Sequence, residues 1–584
     1  MVSGPLGAVP APYGKPRPGT ILIARPPGSA PSWILPLAPA GHESPYAVAM
    51  FDYLSWRPLL WLVSGVTPAP DPALSLASVT WNGARTRFTV SLKRGLRWSD
   101  GTPLTSTDVL FWYDELVAAL AKSPANWASY AGAVGLPDQI ATVSLAGPLR
   151  IVFQLKSPVN PTWFELDELA SIQPMPAHAW ARISPGGPAL DFTRPANARA
   201  IYDRLAAASA DTAAWITSPL WRVVDGPYRL TGFNASTGGF TMAPNTSYAG
   251  PHAKDYPAIE GVPFASDAAE VAALKKGSID QGYLPLNSLA QLGKIRAAGY
   301  RAFAYPYFGW NYVAYNFHDG TGDFAAMIGQ LYLRQALAHL DDQRSYIRSA
   351  LGGLGVTGYG PIPALPASSF AAPGGYAFSA ARAIALLRSH GWAVRPGGTD
   401  TCASPGTGSG HCGPGIPAGT PLAFPLAYAA SPAATSRLAS AFAADAARAG
   451  IRITLVPVAL GQLVSGYNDA SAPWNQGRWA AIDFGGFTAS AYPTTYGVFN
   501  SAGAVNFGGY SDGRADTLIQ ASIAGPDPAA AAREAAYLAV SQPGLFLPVP
   551  DQIAVWSQRL SGSRAAFEGL TQFRLNPELE YLTR

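Results

Sequence analysis

Charged residues are scarce in this sequence. Asp, Glu, Lys and Arg make up 13% of its 584 residues, and 40 basic residues are interleaved with 36 acidic ones for a net charge of +4. This balance leaves no basic stripe for a phosphate backbone, so nucleic acid is not an expected partner. Every lysine lies at or before Lys294, and no Gly-Lys pair precedes Ser or Thr, which excludes a P-loop nucleotide site.

Long apolar runs are also missing. The nearest candidates, 56–63 and 422–430, fall well short of the ~18 residues that a membrane-spanning helix needs, so the chain is predicted to be soluble. Residues 1–18 are rich in Pro and Gly and lack the apolar core of a signal peptide. They predict a flexible leader on an extracytoplasmic protein, whose precursor carried an export signal and a lipid anchor.

Cysteine occurs twice, at Cys402 and Cys412, in a short Gly-rich loop. A loop of this length brings two Cα atoms within disulfide distance, and a disulfide indicates an oxidising compartment. The alternative is a metal site formed by Cys402, His411 and Cys412, although this spacing matches no usual zinc pattern. We expect the disulfide and no bound metal.

A coherent catalytic set is absent from the sequence. Residues 509–513 match the G-x-S-x-G pattern of hydrolases, but that chain order needs a histidine after Ser511, and the last histidine is His411. The motif is therefore predicted to be a surface turn that opens a helix at 514–524. A G-x-G-x-x-G match at 353–358 follows a helix and runs into prolines, unlike a dinucleotide site. We expect no enzymatic activity and no cofactor.

Aromatic and turn-forming residues are abundant instead. The chain has 16 Trp, 26 Tyr and 24 Phe, together with 60 Gly and 54 Pro. This composition argues against global disorder and indicates a folded, loop-rich protein. Strand and helix patterns alternate along the chain, which predicts an α/β fold in more than one lobe.

Several elements have clear local signals. Period-two alternation predicts a strand at Arg87–Lys93, and Thr105 followed by Asp108 predicts a capping box at the start of a helix. Helical periodicity predicts a helix at Thr435–Ala449 and one long helix over Phe324–Leu351.

Four segments, in order along the chain, resemble the family 5 extracellular solute-binding proteins, the oligopeptide, dipeptide and nickel-binding type that serves ABC importers. They are Phe88–Phe111 (FTVSLKRGLRWSDGTPLTSTDVLF), Gly226–Leu230 (GPYRL), Leu333–Asp341 (LRQALAHLD) and Gly509–Asp516 (GYSDGRAD). The resemblance covers residues from about 20 to 580. It implies a two-lobe α/β fold like that of class II periplasmic binding proteins, with an additional inserted α/β domain.

The resemblance also implies a division of the chain. Residues 1–18 form the leader, lobe I combines 19–50, 222–312 and 546–584, the inserted domain is 51–221, and lobe II is 313–545. The solute would be enclosed between the lobes by hinge closure and delivered to the permease subunits of an ABC importer. A peptide or peptide-like solute and a monomeric protein are expected. An oligosaccharide is the alternative ligand, because stacked Trp and Tyr suit sugars, and a secreted hydrolase is the alternative class.

Ligand contacts are implied by the same resemblance. The family often has a G-G-W-x-x-D pattern whose acid binds a peptide amine, and here Phe487 stands for the Trp and Ser490 for the acid. A neutral hydroxyl cannot make that charge-assisted bond, so Asp483, within an apolar run, is the candidate replacement. The remaining candidate ligand residues are aromatic: Trp33, Trp310, Tyr312, Trp474, Trp479, Tyr492 and Tyr496.

Overall fold

The chain divides into two compact units that each combine helices and sheets. The computed structural model describes residues 3–4, 6–8, 11–42, 48–63, 68–319, 321–363, 376–467, 469, 471–476, 478–527, 529–562 and 575–583. Unit 1 comprises residues 1–284, 288–304 and 553–584, and unit 2 comprises 285–287 and 305–552. The predicted α/β class is confirmed.

The strands fall into several sheets. In chain order they are β1 (Ser3–Gly4), β2 (Gly7–Ala8), β3 (Thr20–Arg25), β4 (Leu62–Val63), β5 (Ala69–Pro70), β6 (Ala77–Trp81), β7 (Arg87–Leu92), β8 (Ile140–Leu145), β9 (Arg150–Leu155), β10 (Tyr228–Phe233), β11 (Phe240–Pro244), β12 (Ala258–Pro263), β13 (Gln281–Tyr283), β14 (Tyr300–Pro306), β15 (Gly309–Tyr315), β16 (Gly355–Val356), β17 (Trp392–Ala393), β18 (Thr401–Cys402), β19 (Ala423–Ala429), β20 (Arg452–Val458), β21 (Ala481–Asp483), β22 (Phe487–Thr488), β23 (Gly544–Leu547), β24 (Val549–Ser557), β25 (Leu560–Ser561) and β26 (Tyr581–Leu582).

The helices lie between these strands. They are α1 (Tyr53–Ser55), α2 (Ser106–Leu120), α3 (Pro161–Trp163), α4 (Ala177–Trp180), α5 (Pro195–Ala210), α6 (Asp267–Lys276), α7 (Leu292–Ala297), α8 (Phe324–Ile328), α9 (Leu331–Ala338), α10 (Gln343–Ser349), α11 (Ala380–Ser389), α12 (Ala433–Ala447), α13 (Leu460–Gly466), α14 (Tyr496–Phe499), α15 (Gly513–Ala524) and α16 (Ala530–Ser541).

Unit 1 contains two of the larger sheets. One has the order β10-β11-β12-β3-β13-β24-β14, in which β3 runs parallel to β12 and β13. The other is the antiparallel sheet β6-β7-β9-β8. The capping box predicted for α2 is confirmed, because the Thr105 N–H donates to Asp108 Oδ2 at 2.8 Å and the Thr105 side chain accepts from the backbone of Asp108.

Unit 2 is built on a mixed sheet with β15 near its centre. The strand order is β20-β19-β21-β15-β22, and β23 also pairs with β15. The single long helix predicted for 324–351 is wrong, since the structure has α8, α9 and α10 there. The backbone of Gln330 is extended between the first two helices, and the Asp342 side chain accepts from the Ser345 N–H to start α10. The extended backbone at Gln330 and the new helix start at Asp342 interrupt the helix, although the helical spacing of apolar residues continues through 324–351.

A disulfide joins Cys402 and Cys412, whose Cα atoms are 6.0 Å apart. The Cys402–His411–Cys412 metal site is therefore wrong, because a disulfide leaves no thiolate to bind a metal ion. The Cys412 carbonyl accepts a 2.6 Å hydrogen bond from the Tyr332 hydroxyl, so the loop is attached to the core of unit 2.

The chain ends pack on unit 1. In the leader, the Tyr13 N–H donates to Ser561 Oγ at 2.7 Å, and the Arg17 N–H donates to the Leu582 carbonyl at 2.8 Å. The units divide between residues 304 and 305, and unit 1 includes the segment 51–221. The predicted bounds of lobe I and lobe II stay predictions. The leader's flexibility and the separate inserted domain stay predictions.

Arg57 and Glu578 form a fully buried ion pair inside unit 1. The guanidinium lies over the Trp61 ring, 3.8 Å from its centroid. The backbone N–H of Arg57 donates to Asp225 Oδ1 at 3.1 Å. The Glu578 carbonyl accepts from the Ala253 N–H at 2.7 Å. Through these contacts the C-terminal segment 575–583 becomes part of the core of unit 1.

We expect Glu578→Gln to lower the free energy of unfolding by about 3–5 kcal/mol, because it leaves the Arg57 charge buried without compensation. Urea unfolding measures the change. The matched control is Asp203→Asn, which breaks a pair with Lys122 whose side chains are 53% and 49% exposed. That loss should stay below about 1 kcal/mol. Equal losses for the two variants would contradict the assignment.

Candidate functional site

Strand β15 organises the candidate site in unit 2. Along one of its edges Val313 pairs with Asp483 of β21, and Trp310 pairs with Phe487 of β22. The chain leaves the ladder between these strands at residues 484–486. Gly485 has φ of +83° there, a backbone conformation that glycine adopts at no steric cost. The Gly485 N–H donates to Asp483 Oδ1 at 2.7 Å, so this carboxylate holds the turn.

Asp483 is a buried acid with one unused oxygen. Its residue is 0% exposed, and its Oδ2 accepts no hydrogen bond from any residue that the structure describes. Burial raises the pKa of Asp483 to about 7, and the Gly485 N–H opposes that shift. The carboxyl is therefore poised between its neutral and ionised forms near neutral pH, and a bound positive charge would favour ionisation.

Asn311 provides a second unused acceptor on the same face of the sheet. Side chains alternate along a strand, so Asn311 and Val313 point to one face, and Asp483 shares that face as the register partner of Val313. The Asn311 Nδ2 donates to the Pro548 carbonyl at 3.3 Å, while its Oδ1 accepts nothing from the described residues. Each of these two oxygens is free to accept a hydrogen bond from a bound group. The sequence interpretation missed Asn311, although an amide within an aromatic strand was a usable signal.

Aromatic rings occupy the other face of β15. The buried Trp310 ring stacks on the half-buried Phe487 ring with centroids 4.8 Å apart. Three more half-buried rings are linked by contacts, with centroids 4.6 Å apart for Tyr467 and Phe507 and 5.3 Å apart for Phe484 and Phe507. Trp310 belongs to one hydrophobic cluster, and the four half-buried rings pack against that cluster. Such rings offer apolar contact area to a ligand.

The candidate residues from the sequence fall into two groups by exposure. Trp474, Phe487 and Tyr496 are half-buried, and Ser490 is exposed. The remaining aromatic candidates are buried: Trp33 in unit 1, and Trp310, Tyr312, Trp479 and Tyr492 in unit 2. Trp33 donates to the Leu37 carbonyl at 3.1 Å, and the Tyr492 hydroxyl donates to the Ser522 carbonyl at 3.1 Å. A ligand role for all these residues stays a prediction.

The turn predicted from the G-x-S-x-G motif is confirmed. Asp512 caps α15, because its carboxylate accepts from the N–H groups of Arg514 and Ala515 at 2.9 Å. The neighbouring Ser511 hydroxyl is exposed and accepts from the Ser501 hydroxyl at 3.1 Å. Among the described residues, no group of three or more His, Cys, Asp or Glu side chains could hold a metal ion.

Comparisons with known proteins place these features in context. The family model described as bacterial extracellular solute-binding proteins, family 5 middle, matches residues 67–506. A Brucella ovis protein named for peptide binding in an ABC transporter is 26% identical over 257 residues, which cover 44% of this chain and 40% of that protein. The chain therefore spans less than half the length of the curated relatives it matches.

Solved structures show the same fold. The substrate-binding protein CtaP of the ABC transporter from Listeria monocytogenes has a TM-score of 0.71 and 17% identity, covering 98% of this chain and 100% of that one. The oligopeptide-binding protein AppA of Bacillus subtilis, solved with a nonapeptide, has a TM-score of 0.66 and 18% identity over the same shares. The binding-protein-like fold predicted from the sequence is confirmed.

The pKa of about 7 determines how Asp483 couples to stability. Between about pH 4 and pH 7 the folded protein keeps a proton that the unfolded chain has released, so stability due to Asp483 falls as the pH rises. We expect Asp483→Asn to melt at a higher temperature than the parent at pH 8 and at the same temperature near pH 4.

A control reverses this sign. The carboxylate of Asp527 is exposed, and hydrogen bonds from the Ala529 N–H and from Arg533 lower its pKa. Asp527→Asn should therefore lose stability at neutral pH and not at acidic pH. If the difference between Asp483→Asn and the parent were the same at pH 4 and pH 8, the assignment of the raised pKa to Asp483 would be wrong.

Proposed function

The chain belongs to the family 5 bacterial extracellular solute-binding proteins, and on this premise we propose that it binds a peptide or peptide-like solute for an ABC importer. It would deliver that solute to the permease subunits and carry out no reaction. The proposal draws its ligand class from the names of the relatives and from the chemistry of unit 2.

The unused oxygens of Asp483 and Asn311 are the observation that carries the proposal. A peptide presents main-chain N–H groups and a terminal ammonium, which are the donors that these acceptors lack. An ammonium beside Asp483 would lower the pKa of its carboxyl below about 7 and make a charge-assisted bond. Half-buried rings such as Phe487 lie on the opposite face of β15 from Asp483 and Asn311, so they would contact only apolar side chains in the part of the peptide that extends beyond that strand pair.

Oligosaccharide is the less favoured ligand. The half-buried rings that suit peptide side chains also suit the faces of sugars. The relative from Brucella ovis and the structure from Bacillus subtilis are both named for peptide ligands, which supports the peptide proposal.

The site of action is proposed to be outside the cytoplasm, on a monomer whose precursor was exported and lipid-anchored. The family description, which names extracellular proteins, supports this location. Across the described residues, no helix combines the length and the apolar character needed to cross a membrane.

Thermal-shift screening tests the ligand class. We expect members of a library of di- to hexapeptides to raise the melting temperature, because a ligand at 100 times its Kd stabilises the folded state by about 2.7 kcal/mol. Cello- and xylo-oligosaccharides at equal concentrations are the control and should leave it unchanged. If only the sugars raised the melting temperature, the peptide proposal would be wrong. If the parent hydrolysed a ligand and Ser511→Ala did not, the proposed binding role would be wrong.

Isothermal titration of two variants tests the site. Asp483→Asn keeps an acceptor for the Gly485 N–H but loses the charge, so it should bind a free-amine peptide about tenfold more weakly. The same peptide with an acetylated amine should bind the parent and Asp483→Asn with equal affinity. Phe487→Ala should weaken both peptides, and Asp527→Asn neither. Unchanged affinity in Asp483→Asn would remove that residue from the site.

A further inference from the structure

Arg25 is the last residue of β3 in unit 1, and its charge is buried without a hydrogen-bonded partner. The residue is 1% exposed. Its Nε, Nη1 and Nη2 atoms donate to no residue that the structure describes. A guanidinium carries five N–H donors, and leaving them unpaired away from water is strongly unfavourable.

The surroundings of Arg25 leave it charged at neutral pH but provide no acceptor for its N–H groups. The Phe240 ring lies 5.2 Å from the guanidinium carbon. Burial lowers the pKa of Arg25 to about 10, and the carboxylate of Asp52 opposes that shift electrostatically. Arg25 therefore carries a full positive charge at neutral pH, and a ring face can accept none of its in-plane hydrogen bonds.

Other buried arginines of this chain are treated differently. Arg57 is paired with Glu578. Arg334 is 7% exposed and donates to the carbonyls of Ser541, Ile328 and Gly329. Arg57 and Arg334 each have at least one acceptor, although Arg57 Nε and Nη1 also donate to no described residue, whereas all three guanidinium nitrogens of Arg25 are without an acceptor among the described residues.

The position of Arg25 suits a ligand. Residues 20–25 of β3 pair in parallel with 258–263 of β12, and Ile23 pairs in parallel with Gln281 of β13. The carboxyl ends of parallel strands meet at one edge of a sheet, and in open α/β sheets ligands bind outside that edge. Arg25 stands at this edge of the sheet in unit 1.

We propose that Arg25 binds an oxyanion, whose oxygens take up the unused donors of its planar guanidinium. The fork of a guanidinium matches a carboxylate or a phosphate, which accept two parallel hydrogen bonds. The anion is either the carboxylate of a peptide, in which case the inference rests on the proposed function, or a free inorganic anion. Retaining a buried charge that the fold itself does not satisfy is the expected signature of a binding residue.

Two variants and one control test this assignment. Arg25→Met removes the charge and keeps a long side chain, and Arg25→Lys keeps the charge but loses the fork. The control is Arg229→Met, the same substitution at an exposed residue of β10. Because no described residue accepts a hydrogen bond from the Arg25 guanidinium and Asp52 acts on it only through electrostatic attraction, Arg25→Met without any anion should melt close to the parent's temperature.

The probes are inorganic phosphate, inorganic sulfate, and peptides in free-acid and C-terminal amide forms, followed by melting temperature and isothermal titration. For a free anion, phosphate or sulfate should stabilise the parent and Arg229→Met but not Arg25→Met. If the anion is a solute carboxylate, the parent should bind the free-acid peptide about tenfold more tightly than the C-terminal amide. Arg25→Lys should reduce this difference in affinity. Arg25→Met should abolish it and should bind the amide as tightly as the parent does.

The outcomes separate this inference from the proposed function. Suppose that peptides bind but that neither phosphate nor sulfate acts through Arg25. The oxyanion site is then overturned if the parent shows no preference for the free-acid peptide, or if Arg25→Met keeps that preference. If no peptide binds at all, the proposed function fails, and phosphate and sulfate still decide the site. A lowered melting temperature in Arg25→Met with unchanged anion response would instead show a purely structural role and also overturn the site.

Discussion

Burying a charge without a partner is costly, and this constraint underlies the behaviour of both units. Charged residues make up 13% of the sequence, so few counter-ions are available to buried acids. Glu578 meets its requirement by pairing with Arg57. Glu115, fully buried with neither oxygen hydrogen-bonded to a described residue, meets it by protonation, because burial and the nearby acids Asp114 and Asp203 raise its pKa to about 9.

Neither Asp483 nor Arg25 is stabilised by a hydrogen-bonded ion pair or by complete loss of its charge. The carboxyl of Asp483 has a pKa of about 7, so it is neither reliably neutral nor paired. Arg25 stays charged and has no acceptor among the described residues. One offers acceptors and the other offers donors, which are complementary requirements. Asp483 lies in unit 2 and Arg25 in unit 1, and each keeps side-chain polar atoms without a hydrogen-bonded partner among the described residues of its own unit.

The geometry of the unit 2 site depends on a glycine turn. At Gly485 a Cβ atom would lie 2.8 Å from Thr435 Oγ1, and φ is in the left-handed region, so both space and backbone conformation favour glycine. The turn lets the chain leave β15 after Asp483 and rejoin it at Phe487. A buried carboxylate and a half-exposed ring are thereby placed on opposite faces of one strand pair.

Local signals predicted a good part of this structure. The capping box at Thr105, the turn at 509–513 and the disulfide loop depend on residues close in sequence, so their spacing was enough. The helix predicted for 324–351 failed because helical periodicity continues through breaks that single residues impose. Exposure was not predictable in the same way, and of the candidate aromatics Trp479 is buried whereas Trp474 is half-buried. By itself, the sequence determined the α/β class, the family and the shortage of charge. Tertiary structure alone decided that Asp483, Asn311 and Arg25 are buried with unused polar atoms, because burial is produced by residues distant in sequence that exclude water together.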